Sequence, residues 1–290
     1  MGGSPPPLLH GKDVVEIRDL AVSYPLPGKG TVAALAGINA RFEEGKVSAI
    51  IGPSGCGKTS LIHAVAGLRQ VSAGEVRIYG QLLTGVRKNT AVIFQDYGLL
   101  PWKTVATNAE LPLLITGVPK TRRREQAGAL LGEFGLAGFA KLYPRQLSGG
   151  MKQRLAIVRA LAADPDLLLM DEPFSSLDAL SREDAQDFLL SIRRRNSYPP
   201  HRRPLTIIIV THSIEEAVYL ADKVYVMIGK NPGNIAACVD IPRPAADPAG
   251  VNFRNTPQFL ELCASLRKLL KTPKASDAAV GDTAAKGIRL

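Results

Sequence analysis

A phosphate-binding pattern constrains the fold of this 290-residue chain more than any other feature. Residues 52–59 read GPSGCGKT and match G-x-x-x-x-G-K-[ST], in which glycines let consecutive backbone N–H groups face one anion. An apolar run at 47–51 precedes this phosphate-binding loop, and a helix-like run follows it. The order of strand, glycine loop and helix predicts an α/β protein that binds phosphate where the strand ends.

The pattern gives each polar group of the loop a role. Lys58 is expected to reach the β- and γ-phosphates of a nucleotide, and the Thr59 hydroxyl is expected to ligate Mg²⁺. The alternative, a glycine-rich turn without a ligand, is disfavoured by the flanking strand and helix. The expected nucleotide-binding residues of this segment are Gly52, Pro53, Ser54, Gly55, Cys56, Gly57, Lys58, Thr59 and Ser60.

Two carboxylates follow a second apolar run. Asp171 and Glu172 come directly after residues 167–170. Because ligands bind at the carboxyl ends of strands in α/β sheets, Asp171 is expected to hold Mg²⁺, directly or through water. Glu172 is then a candidate to polarise the attacking water. The alternative is a carboxylate placed at a helix N-terminus, where the helix dipole favours it.

Two further polar residues follow apolar runs in the same way. His212 comes after residues 207–210, and Gln95 comes after residues 91–94. At the same edge of the sheet, His212 would lie near a γ-phosphate, and the Gln95 amide would contact both Mg²⁺ and water. Both are candidate catalytic residues, and Gln95 is also a candidate metal ligand, although a lone histidine at a strand end is more often structural.

A Ser-Gly-Gly turn, Ser148-Gly149-Gly150, stands between the phosphate-binding loop and the acidic strand end. Ser148 is expected to cap the following helix, and the turn then offers a hydroxyl and free N–H groups to an anion. This turn cannot serve the chain's own nucleotide if the loop already wraps it. A second phosphate-binding surface therefore implies a second subunit, with two copies facing head to tail.

An aromatic residue ahead of the loop is a candidate for the base of the nucleotide. Tyr24 is expected to stack on adenine, and the ordinary alternative is a strand aromatic that packs on the core.

Composition narrows the class of protein. No run approaches the roughly 18 apolar residues of a membrane span, and the first residues lack the features of a secretory signal. We therefore expect a cytosolic chain whose three cysteines are reduced. The net charge of +10 would suit nucleic acid, an anionic membrane or an acidic partner. The arginine clusters at 122–124 and 193–195 lack interleaved aromatics, so no nucleic-acid binding is expected.

The chain divides into segments by composition. Residues 1–12 are expected to be a flexible leader, and residues 271–290 a disordered tail. Residues 13–230 carry the nucleotide-site motifs and form the expected catalytic domain. Within this domain, strand-like runs vanish from about residue 96 to residue 165, which predicts a helical subdomain inserted between strands. Residues 231–270 form a C-terminal extension with one amphipathic helix.

In this order, the motifs resemble those of the ATPase subunit of ATP-binding cassette (ABC) transporters over about residues 13–230. The resemblance implies a P-loop NTPase core with a parallel sheet, an N-terminal antiparallel β subdomain and the inserted helical subdomain. It also implies ATP and Mg²⁺ as cofactors, and a homodimer with ATP between its subunits. By the same resemblance Asp178 belongs to a loop that communicates between the two nucleotide sites. The motifs are residues 52–59, Gln95, and residues 147–151, 167–172, 175–178 and 212.

Two segments resemble a narrower group, the importers of nitrate, sulfonates, taurine and similar small solutes. They are residues 96–102 and residues 240–244. This resemblance implies transmembrane permease subunits, a substrate-binding protein that acts indirectly, and a peripheral place on the cytoplasmic face of the cell (inner) membrane. Trp102 would then lie at the face that meets the permease, and the alternative is that it packs within the helical subdomain.

Two positions depart from the wider family, and other classes stay open. Met151 stands where the superfamily usually has Gln, although the importer group resembles the chain there. The loop at 196–204 is longer than usual for that group. A soluble ABC-type ATPase acting on nucleic acid or ribosomes is the main alternative, and such proteins often carry two cassettes or a coiled-coil insertion. A small-molecule kinase would leave the Ser-Gly-Gly turn without a role.

Overall fold

The computed structural model describes residues 13–26, 28, 30–194, 203–242 and 253–271. The expected leader at 1–12 and all but the first residue of the expected tail lie outside the described residues. Most of the loop at 196–204 and the last two residues of the 240–244 segment lie outside them as well.

Ten strands of the described chain form one sheet, in the order β5-β4-β1-β2-β10-β9-β3-β8-β7-β6. The strands are β1 (Asp13–Leu26), β2 (Gly30–Glu43), β3 (Val47–Ile51), β4 (Ala73–Ile78), β5 (Gln81–Leu82), β6 (Thr90–Ile93), β7 (Leu167–Asp171), β8 (Thr206–Thr211), β9 (Lys223–Gly229) and β10 (Gly233–Asp240). The helices are α1 (Lys58–Val65), α2 (Val105–Ile115), α3 (Lys120–Glu133), α4 (Gly149–Ala162), α5 (Ala179–Arg194), α6 (Ile214–Leu220) and α7 (Pro257–Lys271).

The strands β9, β3, β8, β7 and β6 are all parallel to their neighbours in this half of the sheet. Every residue of β3, β7 and β8 is buried, as continuous apolar runs predict for a sheet covered on both faces. Alternate residues of β7 enter different apolar clusters, with Leu168 and Met170 in one and Leu167 and Leu169 in the other. The predicted parallel core is therefore confirmed.

The other half of the sheet is antiparallel, as the resemblance implied, but its strands are longer than the sequence indicated. The runs at 14–17 and 21–24 look like two short strands, yet both belong to β1. The interruption between them is a register shift at Asp19, whose φ is 46°. Strand β2, which pairs along β1, was not predicted, although Ile38, Ala40 and Phe42 alternate with polar residues in the period-two pattern of a half-buried strand.

The sheet continues past residue 230, where the sequence placed the end of the catalytic domain. Strand β10 pairs antiparallel with β9 and meets β2 at one parallel register pair. Between β6 and β7 the chain forms α2, α3 and α4 and no strand, in the predicted position of the helical subdomain. Within the described ranges, no helix is both long and apolar enough to span a membrane.

Candidate active site

The phosphate-binding loop joins the end of β3 to α1, which begins at Lys58. Gly57 has a φ of 91°, a conformation that favours glycine. A Cβ on Gly57 would also lie 2.5 Å from Leu35 Cδ2 and 2.9 Å from the Ala34 carbonyl oxygen. Conformation and space therefore both require glycine here, and the loop curls tightly into the helix N-terminus.

The Lys58 side chain is buried inside this curl. Its Nζ donates hydrogen bonds to the carbonyl oxygens of Gly52 at 2.9 Å and Pro53 at 3.1 Å. The ammonium group is thus held against the first residues of the loop, on the side where α1 begins. A cation, a helix N-terminus and a glycine loop together suit a polyphosphate.

Cys56 packs beneath the phosphate-binding loop, in the protein core. Its side chain is fully buried, and burial raises the pKa of its thiol. A Cβ on Gly233 would lie 1.9 Å from the Cys56 carbonyl oxygen, so β10 packs directly against the loop. The backbone of Cys56, and not its thiol, is therefore the part that a nucleotide can contact.

Thr59 and Asp171 meet at the predicted metal position. The Thr59 hydroxyl donates a hydrogen bond to Asp171 Oδ1 at 3.3 Å. Burial raises the pKa of Asp171, and the Thr59 hydrogen bond opposes that shift. A hydroxyl and a carboxylate at this distance are the oxygen ligands that Mg²⁺ shares with nucleotide phosphates. The residues present therefore fit the ion.

The three candidate catalytic residues follow neighbouring parallel strands. Glu172 leaves β7 with a φ of 47°, and its N–H donates to the Val210 carbonyl at 2.9 Å. His212 follows β8, and its Nδ1 lies 3.5 Å from Glu172 Oε2. Gln95 follows β6 with an exposed side chain, and Ile93 of β6 pairs with Met170 of β7. The structure brings Glu172 and His212 together and places Gln95 at the same edge.

Tyr24 lies beside α1 and already has partners within the chain. Its hydroxyl shares a 3.0 Å hydrogen bond with Ser60 Oγ, which is one of the expected nucleotide-binding residues. The Arg69 guanidinium stacks over the ring, with Cζ 3.8 Å from the centroid. One face of the ring is therefore covered, and adenine stacking would use the other. The sequence reasoning missed Arg69, because no local pattern marks it.

The Ser-Gly-Gly turn caps α4 as predicted. Ser148 Oγ accepts a hydrogen bond from the Met151 N–H at 3.3 Å. Gly149 lies against Leu177, whose Cδ2 would be 2.9 Å from an added Cβ. Asp178 caps α5, since its Oδ1 accepts from the Ser181 N–H at 2.9 Å, and these hydrogen bonds lower the pKa of its carboxyl. The turn and the Asp178 loop (residues 175–178) thus pack together.

The turn and the phosphate-binding loop occupy separate places. Among the described residues, no hydrogen bond or ion pair joins the Ser-Gly-Gly turn to residues 52–59. Gly150 lies near Ser181 instead, since a Cβ added to Gly150 would be 3.8 Å from Ser181 Cβ. The chain therefore presents two anion-binding features that its own fold keeps apart.

Trp102 is 68% exposed, which rules out the alternative that it packs within the helical subdomain. Its turn is held by the buried Asn108 side chain, which accepts from Leu100 N–H and donates to the carbonyl oxygens of Leu100 and Lys103 at 2.9–3.1 Å.

The sequence reasoning also missed Glu216, a buried carboxyl in the first turn of α6 that accepts from Gln186 at 3.2 Å.

Comparison with known proteins agrees with this geometry. The family model for ABC transporters matches residues 35–175. The nitrate import ATP-binding protein NrtD of Synechocystis is 37% identical over 89% of this chain and 95% of its own length. The taurine import ATP-binding protein TauB of Pseudomonas entomophila is 39% identical over 86% of this chain and 93% of its own length.

Solved structures show the same fold. The dimeric, post-hydrolysis ATP-binding cassette MJ0796, bound to ADP and Pi, matches with a TM-score of 0.68 and 28% identity, over 79% of this chain and all of that one. The cassette cbiO1 of Clostridium perfringens matches with a TM-score of 0.68 and 23% identity, over 88% of this chain and all of that one. The chain therefore belongs to the ATP-binding proteins of ABC transporters, the ATPases that hydrolyse ATP for transport.

Proposed function

We propose that this ATPase powers the import of a small solute such as nitrate, a sulfonate or taurine. It would act as a homodimer bound to permease subunits at the cytoplasmic face of the cell (inner) membrane. The observation that carries the proposal is the convergence, at one sheet edge, of Lys58, the Thr59–Asp171 pair and the Glu172–His212 pair. Full-length similarity to nitrate and taurine import ATPases supports the importer class.

The chemistry follows from these contacts. Lys58 and the N–H groups of the loop bind the phosphates. Thr59 and Asp171 would hold a Mg²⁺, which would neutralise the negative charge that develops on the phosphates. Glu172 accepts a proton from the attacking water. His212, whose Nδ1 lies 3.5 Å from Glu172 Oε2, would orient that carboxylate and face the γ-phosphate. Gln95 would contact both the ion and the water.

The dimer follows from the separation of the two anion-binding features. The Ser-Gly-Gly turn of one copy would close the nucleotide held by the loop of the other copy. The capped N-terminus of α4 supplies N–H groups and a favourable dipole to the γ-phosphate. The dimeric form of the MJ0796 cassette supports this arrangement.

ATP-driven closure would then move the permease, and hydrolysis would reopen the dimer. The exposed Trp102, on a turn that Asn108 holds by hydrogen bonds, is the proposed contact with the permease. An exposed aromatic side chain suits a protein interface. A substrate-binding protein would act on the other side of the membrane and contact this chain only through the permease.

A deletion strain of the source organism tests the solute class. We expect the strain to lose growth on nitrate, taurine or an alkanesulfonate as the only nitrogen or sulfur source. Wild-type chain should restore growth, and Glu172→Gln should not. Normal growth on all three substrates would contradict the importer group.

Affinity capture separates the importer from the main alternative. Tagged Glu172→Gln chain with ATP should recover a polytopic membrane protein from detergent-solubilised membranes. Tagged Lys58→Ala chain is the control for capture that depends on ATP. Recovery of RNA or ribosomal protein, and no membrane protein, would instead establish the soluble ATPase.

A further inference from the structure

Tyr97 makes a contact that none of the predicted catalytic roles uses. It lies two residues after Gln95, is 7% exposed, and has a φ of 65°. Its hydroxyl shares a 2.5 Å hydrogen bond with Ser176 Oγ, in the Asp178 loop. A non-glycine residue in the left-handed region is uncommon, and surrounding contacts are needed to hold it there.

Arg159 of α4 supplies those contacts. Its guanidinium donates to the carbonyl oxygens of Gly98 at 2.6 Å and of Tyr97 at 2.8 Å. Burial lowers the pKa of this guanidinium, and the Asp96 carboxylate opposes the shift. Such a desolvated charge is stabilised only while both carbonyl groups stay in place. The Tyr97 backbone is therefore fastened to the helix that the Ser-Gly-Gly turn begins.

The contacts close into a ring. From Tyr97 the ring runs through Ser176 to its neighbour Leu177, which packs on Gly149 of the turn. Arg182 holds the Asp178 loop by donating to the Leu177 carbonyl at 2.8 Å. Helix α4 then leads back to Arg159 and the Tyr97 backbone. The Tyr97 segment, the Asp178 loop and the Ser-Gly-Gly turn are thus joined by contacts that do not involve the phosphate-binding loop.

We propose that Tyr97 is a positioning residue that couples the surface around Trp102 to the Ser-Gly-Gly turn and the Asp178 loop. Displacement of the Trp102 segment would move Tyr97, and the Tyr97–Ser176 bond would carry that movement to Gly149 and Asp178. The proposal rests on the proposed function, because it takes the Ser-Gly-Gly turn to complete a nucleotide site on a second copy.

A double-mutant cycle tests this coupling. Tyr97→Phe and Ser176→Ala each delete one hydroxyl of the same hydrogen bond, and Tyr79→Phe is a matched control. Tyr79 is half-buried directly after β4, and no hydrogen bond of good geometry to its hydroxyl is found among the described residues. We expect each single variant to lower the kcat for ATP about fivefold, which is the effect of one misplaced hydrogen bond, with KM unchanged. The double variant should be no slower than either single variant.

A second measurement separates positioning from a loss of folding. In a Glu172→Gln background, Tyr97→Phe should weaken the ATP-dependent dimer in sedimentation experiments, and fluorescent ATP should bind the monomer as before. Additive losses of kcat, or a dimer of unchanged strength, would overturn the coupling. A wild-type chain that forms no ATP-dependent dimer and hydrolyses no ATP would instead overturn the proposed function.

Discussion

His212 Nδ1 lies 3.5 Å from Glu172 Oε2, although the two residues follow different strands. The pair exists because β7 and β8 are parallel neighbours, with Asp171 opposite Val210. The carboxyl ends of both strands therefore lie at one edge of the sheet. The phosphate-binding loop follows the carboxyl end of β3 at the same edge. A base and a histidine at this edge fit a γ-phosphate and an attacking water.

The first prediction concerns the role of Glu172. We expect Glu172→Gln to lower kcat for ATP hydrolysis at least about 100-fold, because an amide cannot accept the proton of the attacking water. The variant should still bind ATP, and it should accumulate as a dimer. Steady-state kinetics and size-exclusion chromatography with ATP measure both effects. Full ATPase activity in this variant would remove Glu172 from the mechanism.

The second prediction concerns Lys58. We expect Lys58→Ala to raise the Kd for ATP about 10- to 100-fold, since it removes charge-assisted hydrogen bonds to the phosphates. Isothermal titration calorimetry measures the change. Lys46→Ala, an exposed lysine just before β3, is the matched control and should leave the Kd unchanged. Equal affinities for all three proteins would contradict the assignment of the loop.

The third prediction tests whether the Ser-Gly-Gly turn acts on a second copy. We expect Ser148→Arg to abolish hydrolysis, because the larger side chain fills the turn and removes the cap that accepts from Met151 N–H. Binding of ATP by the monomer should be preserved, since no hydrogen bond or ion pair of the described residues joins the turn to the chain's own loop. Titration with fluorescent ATP under monomeric conditions measures this binding. If Ser148→Arg lost ATP binding as well as hydrolysis, the turn would be part of the chain's own nucleotide site.

The fourth prediction concerns Glu216 and pH. Burial raises the pKa of Glu216 to about 7, and the nearby Glu172 adds to the shift. Three groups oppose the shift, and they are Thr211, Gln186 and Arg182. The folded-state pKa of Glu216 lies above the ordinary glutamate value of 4.5. The stability that the protonated carboxyl contributes is therefore complete below about 4.5, and it is lost as the pH rises from there through about 7.

A glutamine at this position stays neutral at every pH. We therefore expect wild-type chain to lose about 2 kcal/mol more unfolding free energy than Glu216→Gln between about pH 5 and about pH 7. Urea unfolding at several pH values measures the difference. Glu261→Gln, an exposed glutamate on α7, is the matched control and should follow wild type. A parallel loss in Glu216→Gln would contradict the pH dependence assigned to this carboxyl.

The nucleotide-binding motifs of this protein can be recognised from local patterns in its chain. The phosphate-binding loop, the apolar runs of β3, β7 and β8, and the polar residues that follow them are local patterns. A glycine at 57 is required by its own backbone, and an apolar run ending in Asp171 predicts a buried strand with a carboxylate at its end. Since parallel strands share one open edge, the meeting of Glu172 and His212 could also be inferred.

The pairings between distant segments became visible only in the folded chain. The tertiary structure joined two apparent short strands into β1 and placed β10 in the same sheet, because strand pairing depends on partners far along the chain. It also set the Tyr97–Ser176 bond, the Arg159 contacts and the burial of Glu216. None of these has a local signal, since hydrogen-bond partners and burial are set by which faces pack together and not by the spacing of residues along the chain.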